Sequence, residues 1–557
     1  MKTRYFLAIA SLAVLALAGC EKENEKGSGR LEVVAEGMNG ATKVAIDGLQ
    51  SYWVDGEGIR INDGNYTLSV SSEKAYVNED VALSTPYRGV YPSSIYSSNS
   101  GLDYTLNLPA SYTYATTTYG SSTLQNLASP MVAYAAGGDQ LFFRHLTAAL
   151  GVQVVNYYGF TVEVDSIVVS SDSYKLNGEI VVTLAETPTV AAATSEVASQ
   201  KCVKMDFGGT AKLRICAGDS AVVQIPVLPV GTGNHFTVKT YLHKVDQAAV
   251  VATLEKTQAT GGALNRARMG YARFTTPGLF SVSASKKVII SQGNLQYQAS
   301  TGTWKFAETQ YGFIGNNAGN TTVVSDRETQ SAWIDLFGWG TSGWDNGNVK
   351  YQPWCANMTS YSSIDYGPKS GETFYSLSGD YVNSDWGVYN PISNGGAVAG
   401  RWNTLTNTEW TYLTSYSRAA GNVVNGTSKA KYTYATVGTA HGIIFFPDEF
   451  TVPTFTGGSS WGTINSSSAW TTTIELEDWY LLEAAGCIFL PAVGSRSATT
   501  STTPMYSNEN SWGCYWSSVQ YSNSNAYYVR FYSGNGFGQQ NASKYQGYSV
   551  RLVRPIE

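Results

Sequence analysis

The densest array of side chains suited to molecular recognition lies between Tyr515 and Tyr548. It holds Tyr515, Tyr521, Tyr527, Tyr528, Tyr532, Tyr545 and Tyr548, six Ser and four Asn, so these three types fill half of the segment. Tyr supplies rigid, amphipathic contact area at low entropy cost, while Ser and Asn supply adaptable hydrogen bonds. The chemistry implied is non-covalent binding. A Tyr/Asn/Ser-rich surface loop on a static domain would have the same composition.

Side chains capable of catalysis are sparse by comparison. After residue 278 the only His is His441, and Cys355, Cys487 and Cys514 are widely scattered. His441 precedes an apolar strand and reads as structural. Cys487, within Ala484-Ala485-Gly486-Cys487-Ile488-Phe489-Leu490, reads as core. Glu475, Glu477 and Asp478 stand at an expected helix start, where the macrodipole favours anions. Asp345, Asn346 and Asn348, and separately Asp448-Glu449, could offer oxygen ligands to calcium, but turn or loop roles suit both groups better. There is no nucleophile elbow, phosphate loop or zinc motif. No catalytic residue, metal site or cofactor is expected.

The elements that position the Tyr-rich segment are β-strands. A chain of 557 residues implies several domains. Charged residues are 14% and the net charge is −6, which leaves no basic nucleic-acid footprint. No segment after the first thirty residues is apolar and long enough to cross a membrane as a helix. Strand-like runs fill the first half, among them Tyr66-Thr67-Leu68-Ser69-Val70, Gly151-Val152-Gln153-Val154-Val155 and Ala221-Val222-Val223-Gln224-Ile225. Asp63-Gly64, Asn177-Gly178 and Gly231-Thr232-Gly233 punctuate such runs as turns. The spacing predicts one or two Greek-key β-sandwiches, over 31–140 and 141–277. Cys202 and Cys216 flank Gly208-Gly209; a hairpin there would allow a cross-strand disulfide, and two free thiols are the other reading. Within Tyr528-Val529-Arg530-Phe531-Tyr532, alternation turns Val529 and Phe531 to one face and Arg530 and Tyr532 to the other.

Four resemblances sharpen this picture. Lys2 and Arg4, an apolar run from Tyr5 to Ala18 and Leu17-Ala18-Gly19-Cys20 resemble a lipoprotein signal peptide and its lipobox. The likeness implies removal of 1–19, lipidation of Cys20, a flexible tether over 20–30 and attachment to the outer membrane through the acyl chains. The lipobox, the string Phe142-Phe143-Arg144-His145-Leu146-Thr147-Ala148-Ala149-Leu150 and the strand Arg268-Met269-Gly270-Tyr271-Ala272-Arg273-Phe274 resemble the fimbrillin family. Exposure on the cell surface or on a fimbrium, and other pilus subunits as partners, follow from that likeness. From residue 278 to 557, Trp516-Ser517-Ser518, Ala526-Tyr527-Tyr528-Val529 and Val550-Arg551-Leu552-Val553 resemble the C-type-lectin-like fold of the formylglycine-generating-enzyme branch. That fold is α+β. The resemblance implies that those strands share one sheet, with a helix bearing Glu409-Trp410-Thr411-Tyr412-Leu413 beneath it.

The last segment, 515–548, also resembles the variable region of proteins diversified by a retroelement. That likeness implies framework positions at Trp516, Ala526, Tyr527, Val529 and Phe531. It implies ligand-facing positions at Tyr515, Val519, Tyr521, Asn523, Tyr528, Arg530, Tyr532, Phe537, Gln539, Gln540, Asn541, Tyr545 and Gln546. The expected function is a surface-anchored binder or adhesin, at a pilus tip or free-standing. Its partner would be a protein or glycan on another cell, a phage or a host surface. A structural fimbrial subunit without a ligand, and an oxidase of the parent branch, are the competing readings.

Overall fold

The computed structural model describes residues 31–37, 39–40, 53–71, 74–77, 84–119, 122–321, 331–345, 376–415, 418, 431–466, 469–497 and 505–556. The leader, Cys20 and the tether lie outside the described residues, as do Asn346, Asn348 and Cys355. Among the described residues no helix is long and apolar enough to cross a membrane.

The first unit is a closed barrel. In spatial order its strands are Glu32–Ala35, Gln140–His145, Met131–Ala135, Tyr87–Tyr91, Gly58–Ile61, Gly64–Ser71 and Lys74–Val77. Closure leaves no free strand edge in this sheet. Alternation decides what fills it: in Gln140–His145, Phe143 is buried while its neighbour Phe142 is exposed. Val33, Ile59, Ile61, Leu68 and Leu141 join Phe143 inside, with Trp53 edge-on to both Tyr91 and Phe143. The mainly β class read from the sequence is what the chain adopts. The strand Gln140–His145 belongs to this barrel, so the chain enters the next sheet between His145 and Ala148, a few residues beyond the boundary expected at 140.

The second unit packs two sheets face to face. One holds Ser220–Val227, Ala148–Val155 and Arg268–Thr275 in that order; the other holds Gln247–Thr257, Phe236–Lys244, Val162–Ser171 and Cys202–Asp206. Phe236–Lys244 shows the period-two burial that a half-buried strand requires. Val152, Val154, Ile167, Val169, Val223 and Leu242 meet between the layers. The units are also stitched together. Asp103–Leu108 pairs with Gly178–Thr183, Ser111–Thr113 with Cys202–Asp206, and Asn39–Gly40 with Arg268–Thr275.

Cys202 and Cys216 are free thiols, so the disulfide reading is corrected. The segments that carry them do not form a hairpin. Both lie along Val162–Ser171, with Cys202 opposite Ser170 and Ile215 opposite Val162. Eight residues of strand separate those points by roughly 27 Å, far beyond disulfide reach.

The remainder is built on buried indoles. Trp339, Trp386, Trp402, Trp410, Trp479 and Trp516 are all fully buried. A small sheet joins Leu279–Ser281, Lys287–Ile290, Leu552–Ile556 and Asn403–Thr404, so the last strand pairs with the first strands of this region. A second sheet is formed by Trp512–Gln520, Asn525–Tyr532 and Asn535–Ser543. The terminal strand was expected to complete that sheet. Instead it pairs with Lys287–Ile290 and Asn403–Thr404, and Ser549, ahead of it, makes a bridge to Tyr515.

Helix Asn407–Thr414 packs beneath the second sheet, as expected. Thr406 and Glu409 form a reciprocal capping box at its start, and Trp410 and Leu413 point inward. Helix Leu476–Ala484 begins with Glu477 and Asp478 in its first turn, and Asp478 accepts backbone N–H groups of Thr456, Gly457 and Ser459.

This region also grips the second unit. Lys244 and Glu483 form a buried ion pair at 3.0 Å. Asp219 accepts from Arg401 at 2.9 Å and from Arg554 at 3.0 Å. The Tyr158 hydroxyl donates to the carbonyl of Ala484.

Candidate ligand-binding surface

The three-stranded sheet is covered on both sides, and its register decides which candidates reach solvent. Tyr515 lies opposite Val529, Trp516 opposite Tyr528, Cys514 opposite Arg530 and Trp512 opposite Tyr532. Directly opposed residues share a face. The face of Tyr515, Val529 and Phe531 packs onto Trp410 of the 407–414 helix and onto Phe280 and Phe445. The face of Trp516, Ala526 and Tyr528 packs onto Phe337, Trp339 and Tyr548. Val529 and Phe531 thus turn inward together, while Arg530 and Tyr532 sit half-buried on the other side, as alternation predicts.

Three expected ligand-facing positions are corrected. Tyr515 is 0% exposed; its hydroxyl donates to Pro491 O at 2.7 Å and accepts from Asn294 at 3.2 Å. Alternation in its own strand could not reveal this, because the inward face was set by the partner Val529. Tyr528 is 6% exposed, its ring 4.5 Å from Tyr548 and 6.0 Å from Trp516. Phe537 fills space among Phe445, Trp410 and Phe531, its ring 5.5 Å from that of Phe445. Phe537 shares the face of Gln539, which lies opposite Val529, and there the 407–414 helix and Phe445 cover it.

The other candidates divide between the two faces. Tyr521, Asn523, Gln539 and Asn541 are exposed at one end of the sheet, with Tyr521 53% exposed. Tyr545 and Gln546 are half-buried in the turn after the outer strand. That turn is tied to the 521–525 turn by Lys544 N–H donating to Ser524 O at 2.9 Å. Val519 is half-buried where the strand bulges between Trp516 and Gln520. Arg530, Tyr532 and exposed Gln540 belong to the opposite face.

Three residues join the first group that the sequence had not assigned to it. Tyr527 stands opposite Asn541 and meets Tyr521 edge-to-face at 5.2 Å. Asn525 donates to Asn541 Oδ1 at 2.9 Å, and Asn407 at the head of the helix donates to Gln539 Oε1 at 3.0 Å. The result is a contiguous surface of two phenol rings and a row of carboxamides, anchored over Trp410. Tyr527 was assigned to the framework. The alternation Tyr527-Tyr528-Val529 held the signal that it shares the face of Val529, but not that the sheet core ends before it.

The candidate catalytic groups are placed structurally. His441 stacks on Trp470 at 4.8 Å, with Nδ1 2.8 Å from Asn510 O. Burial pushes the Cys514 thiol up to about 12 and that of Cys487 well above its ordinary value. Thiols held protonated are poor nucleophiles. Asp448 binds Ser281 and pairs with Arg418 and Lys287. Among the described residues no group of His, Cys, Asp and Glu is arranged to hold a metal ion.

A family model described as "Domain of unknown function (DUF8237)" matches residues 463–553, which include the whole three-stranded sheet. No protein of curated function matches the chain. Among solved structures, a chain from Bacteroides fragilis NCTC 9343 described as a candidate cell adhesion protein is 15% identical. It covers 52% of this chain and 99% of its own, with a TM-score of 0.24. A fimbrial protein from Bacteroides vulgatus ATCC 8482 is 11% identical over 44% of this chain and 95% of its own, with a TM-score of 0.23. A fimbrial protein from Bacteroides ovatus ATCC 8483 is 10% identical over 95% of this chain and 99% of its own, with a TM-score of 0.22. Overlap at that level sets neither fold nor function for this chain.

Proposed function

We propose that this chain is a surface-displayed binding protein, an adhesin in the broad sense, rather than an enzyme. In this reading Cys20 carries the lipid anchor in the outer membrane and the β units of the first half form a stalk. A C-type-lectin-like head then presents the Tyr521–Tyr527 surface to a protein or glycan on another cell, a phage or a host. Assembly with pilus subunits and retroelement diversification of 515–548 belong to the same reading.

The observation that carries it is the edge-to-face pair Tyr521–Tyr527 beside the carboxamides of Asn525, Asn541, Gln539 and Asn407. These groups stand on a sheet fixed by packing on both faces. A rigid aromatic anchor with adaptable polar neighbours is the make-up of a binding hot spot.

The test screens the full chain against a printed glycan array and against intact bacterial cells. Replacing Tyr521 and Tyr527 by Ala, with Gln539→Ala, should weaken any captured ligand about ten-fold or more and move Tm by less than about 2 °C. Retention of the ligand by that variant would refute the reading.

A further inference from the structure

The opposite face of the same sheet carries a different arrangement, at the other end of the strands. Trp512 and Tyr532 face one another across two strands, their rings stacked at 5.8 Å with an interplanar angle of 29°. The Arg530 guanidinium lies 4.8 Å from the Trp512 ring centre and 5.3 Å from that of Tyr532. All three side chains are half-exposed. Among the described residues no carboxylate pairs with Arg530; its neighbour there is the Tyr528 hydroxyl. The residue opposite Arg530 on the outer strand is Gly538, and a Cβ built there meets nothing within 4 Å. The edge strand therefore leaves open space above the guanidinium.

We infer that Trp512, Arg530 and Tyr532 form a second binding site, for the carboxylate of an acidic sugar residue. Two ring faces beside a cation match a pyranose, whose C–H-rich face packs on an aromatic ring while its carboxylate lies at the ring's rim. A guanidinium offers two parallel N–H donors to a carboxylate and remains charged at all relevant pH. Gly538, without a side chain, leaves room for a bulky ring beside the guanidinium. The site does not rest on the Tyr521–Tyr527 surface, which has no charged group and faces the other way.

The experiment measures binding of trigalacturonate and of neutral galactotriose to the full chain by titration calorimetry. Trigalacturonate should bind about ten-fold or more tightly than galactotriose, and less tightly as salt is raised. Arg530→Gln should lose about ten-fold or more, and Arg530→Lys should recover only part, because an ammonium cannot form the two parallel bonds. The pair Tyr521→Ala and Tyr527→Ala should leave trigalacturonate binding unchanged, which separates this site from the one above. Trp512 also packs against the core, so Arg530, half-exposed, carries the test if Trp512→Ala fails to fold. Equal binding of the two sugars, wild-type binding by Arg530→Gln, or capture of a Glu-rich peptide or an oligonucleotide in place of trigalacturonate would each overturn the assignment.

Discussion

At the scale of single residues, identical side chains have opposite duties according to face and depth. Tyr515 and Tyr521 are six positions apart, yet one is sealed in the core and the other is 53% exposed. Tyr515→Phe strands the Pro491 carbonyl and removes an acceptor from Asn294, so it should cost about 1–3 kcal/mol in urea unfolding. Tyr521→Ala should stay within about 0.5 kcal/mol of wild type.

His145 makes a pH prediction at the same scale. It is buried, with Nε2 2.9 Å from the carbonyl of Glu36 and Nδ1 3.1 Å from the Ser129 hydroxyl. Burial lowers its pKa from 6.5 to about 4. The unfolded chain takes up the proton near 6.5 while the folded chain resists it. Its stability contribution is therefore complete above about pH 6.5 and is lost as pH falls toward 4, by about 3 kcal/mol in all. Urea midpoints at pH 7 and pH 4.5 should move closer together in His145→Gln; an unchanged gap would exclude His145 as the cause.

At the scale of elements, contacts between strands decide what each strand alone leaves open. Gly513 lies opposite Phe531, and a Cβ built on it would sit 1.9 Å from Phe531 Cζ. The ring lies across the glycine and seals that part of the sheet. Gly513→Ala should displace Phe531 and destabilise the chain by about 1–3 kcal/mol. Gly513→Ala combined with Phe531→Leu should recover part of the loss in the same melt. A second element-scale contact is the buried pair Lys244–Glu483, where strand Phe236–Lys244 meets helix Leu476–Ala484. Glu483 also accepts from Gln310, which in turn accepts from Arg551. Lys244→Met leaves a buried carboxylate without its ion-pair partner and should cost about 3–5 kcal/mol; adding Glu483→Gln should return much of it.

At the scale of the whole molecule, the parts do not hang like beads. Sheets are shared across the barrel and the second unit, and the second unit meets the Trp-rich region through Lys244–Glu483, Asp219 and Tyr158. The second unit and that region should therefore unfold in one step. Trp fluorescence isolates the latter, since of 14 Trp only Trp53 precedes Trp304. Its transition should coincide with loss of strand signal in far-UV circular dichroism, and Asp219→Ala should lower both midpoints together. Two separated transitions in the wild type would show that the interface does not couple them. Such coupling would hold both candidate surfaces at fixed angles to the second unit.

The sequence alone determined the mainly β class and the shared face of Val529 and Phe531, while the helix beneath the sheet followed from the family resemblance. The first two are local facts: strand period and turn residues write themselves into short windows of the chain. It also picked out one segment, 515–548, as the richest in side chains suited to recognition. Tertiary structure alone decided which tyrosines see solvent, that Cys202 and Cys216 lie apart along one strand, and that Trp512 and Arg530 meet. It decided as well that the strand Asn535–Ser543, and not the chain's last strand, completes the sheet. Each of those outcomes depends on register between strands, shifted here by bulges near Gln520 and Tyr532. A period of two fixes the sides of one strand relative to each other, but which side is buried is chosen by what packs against it.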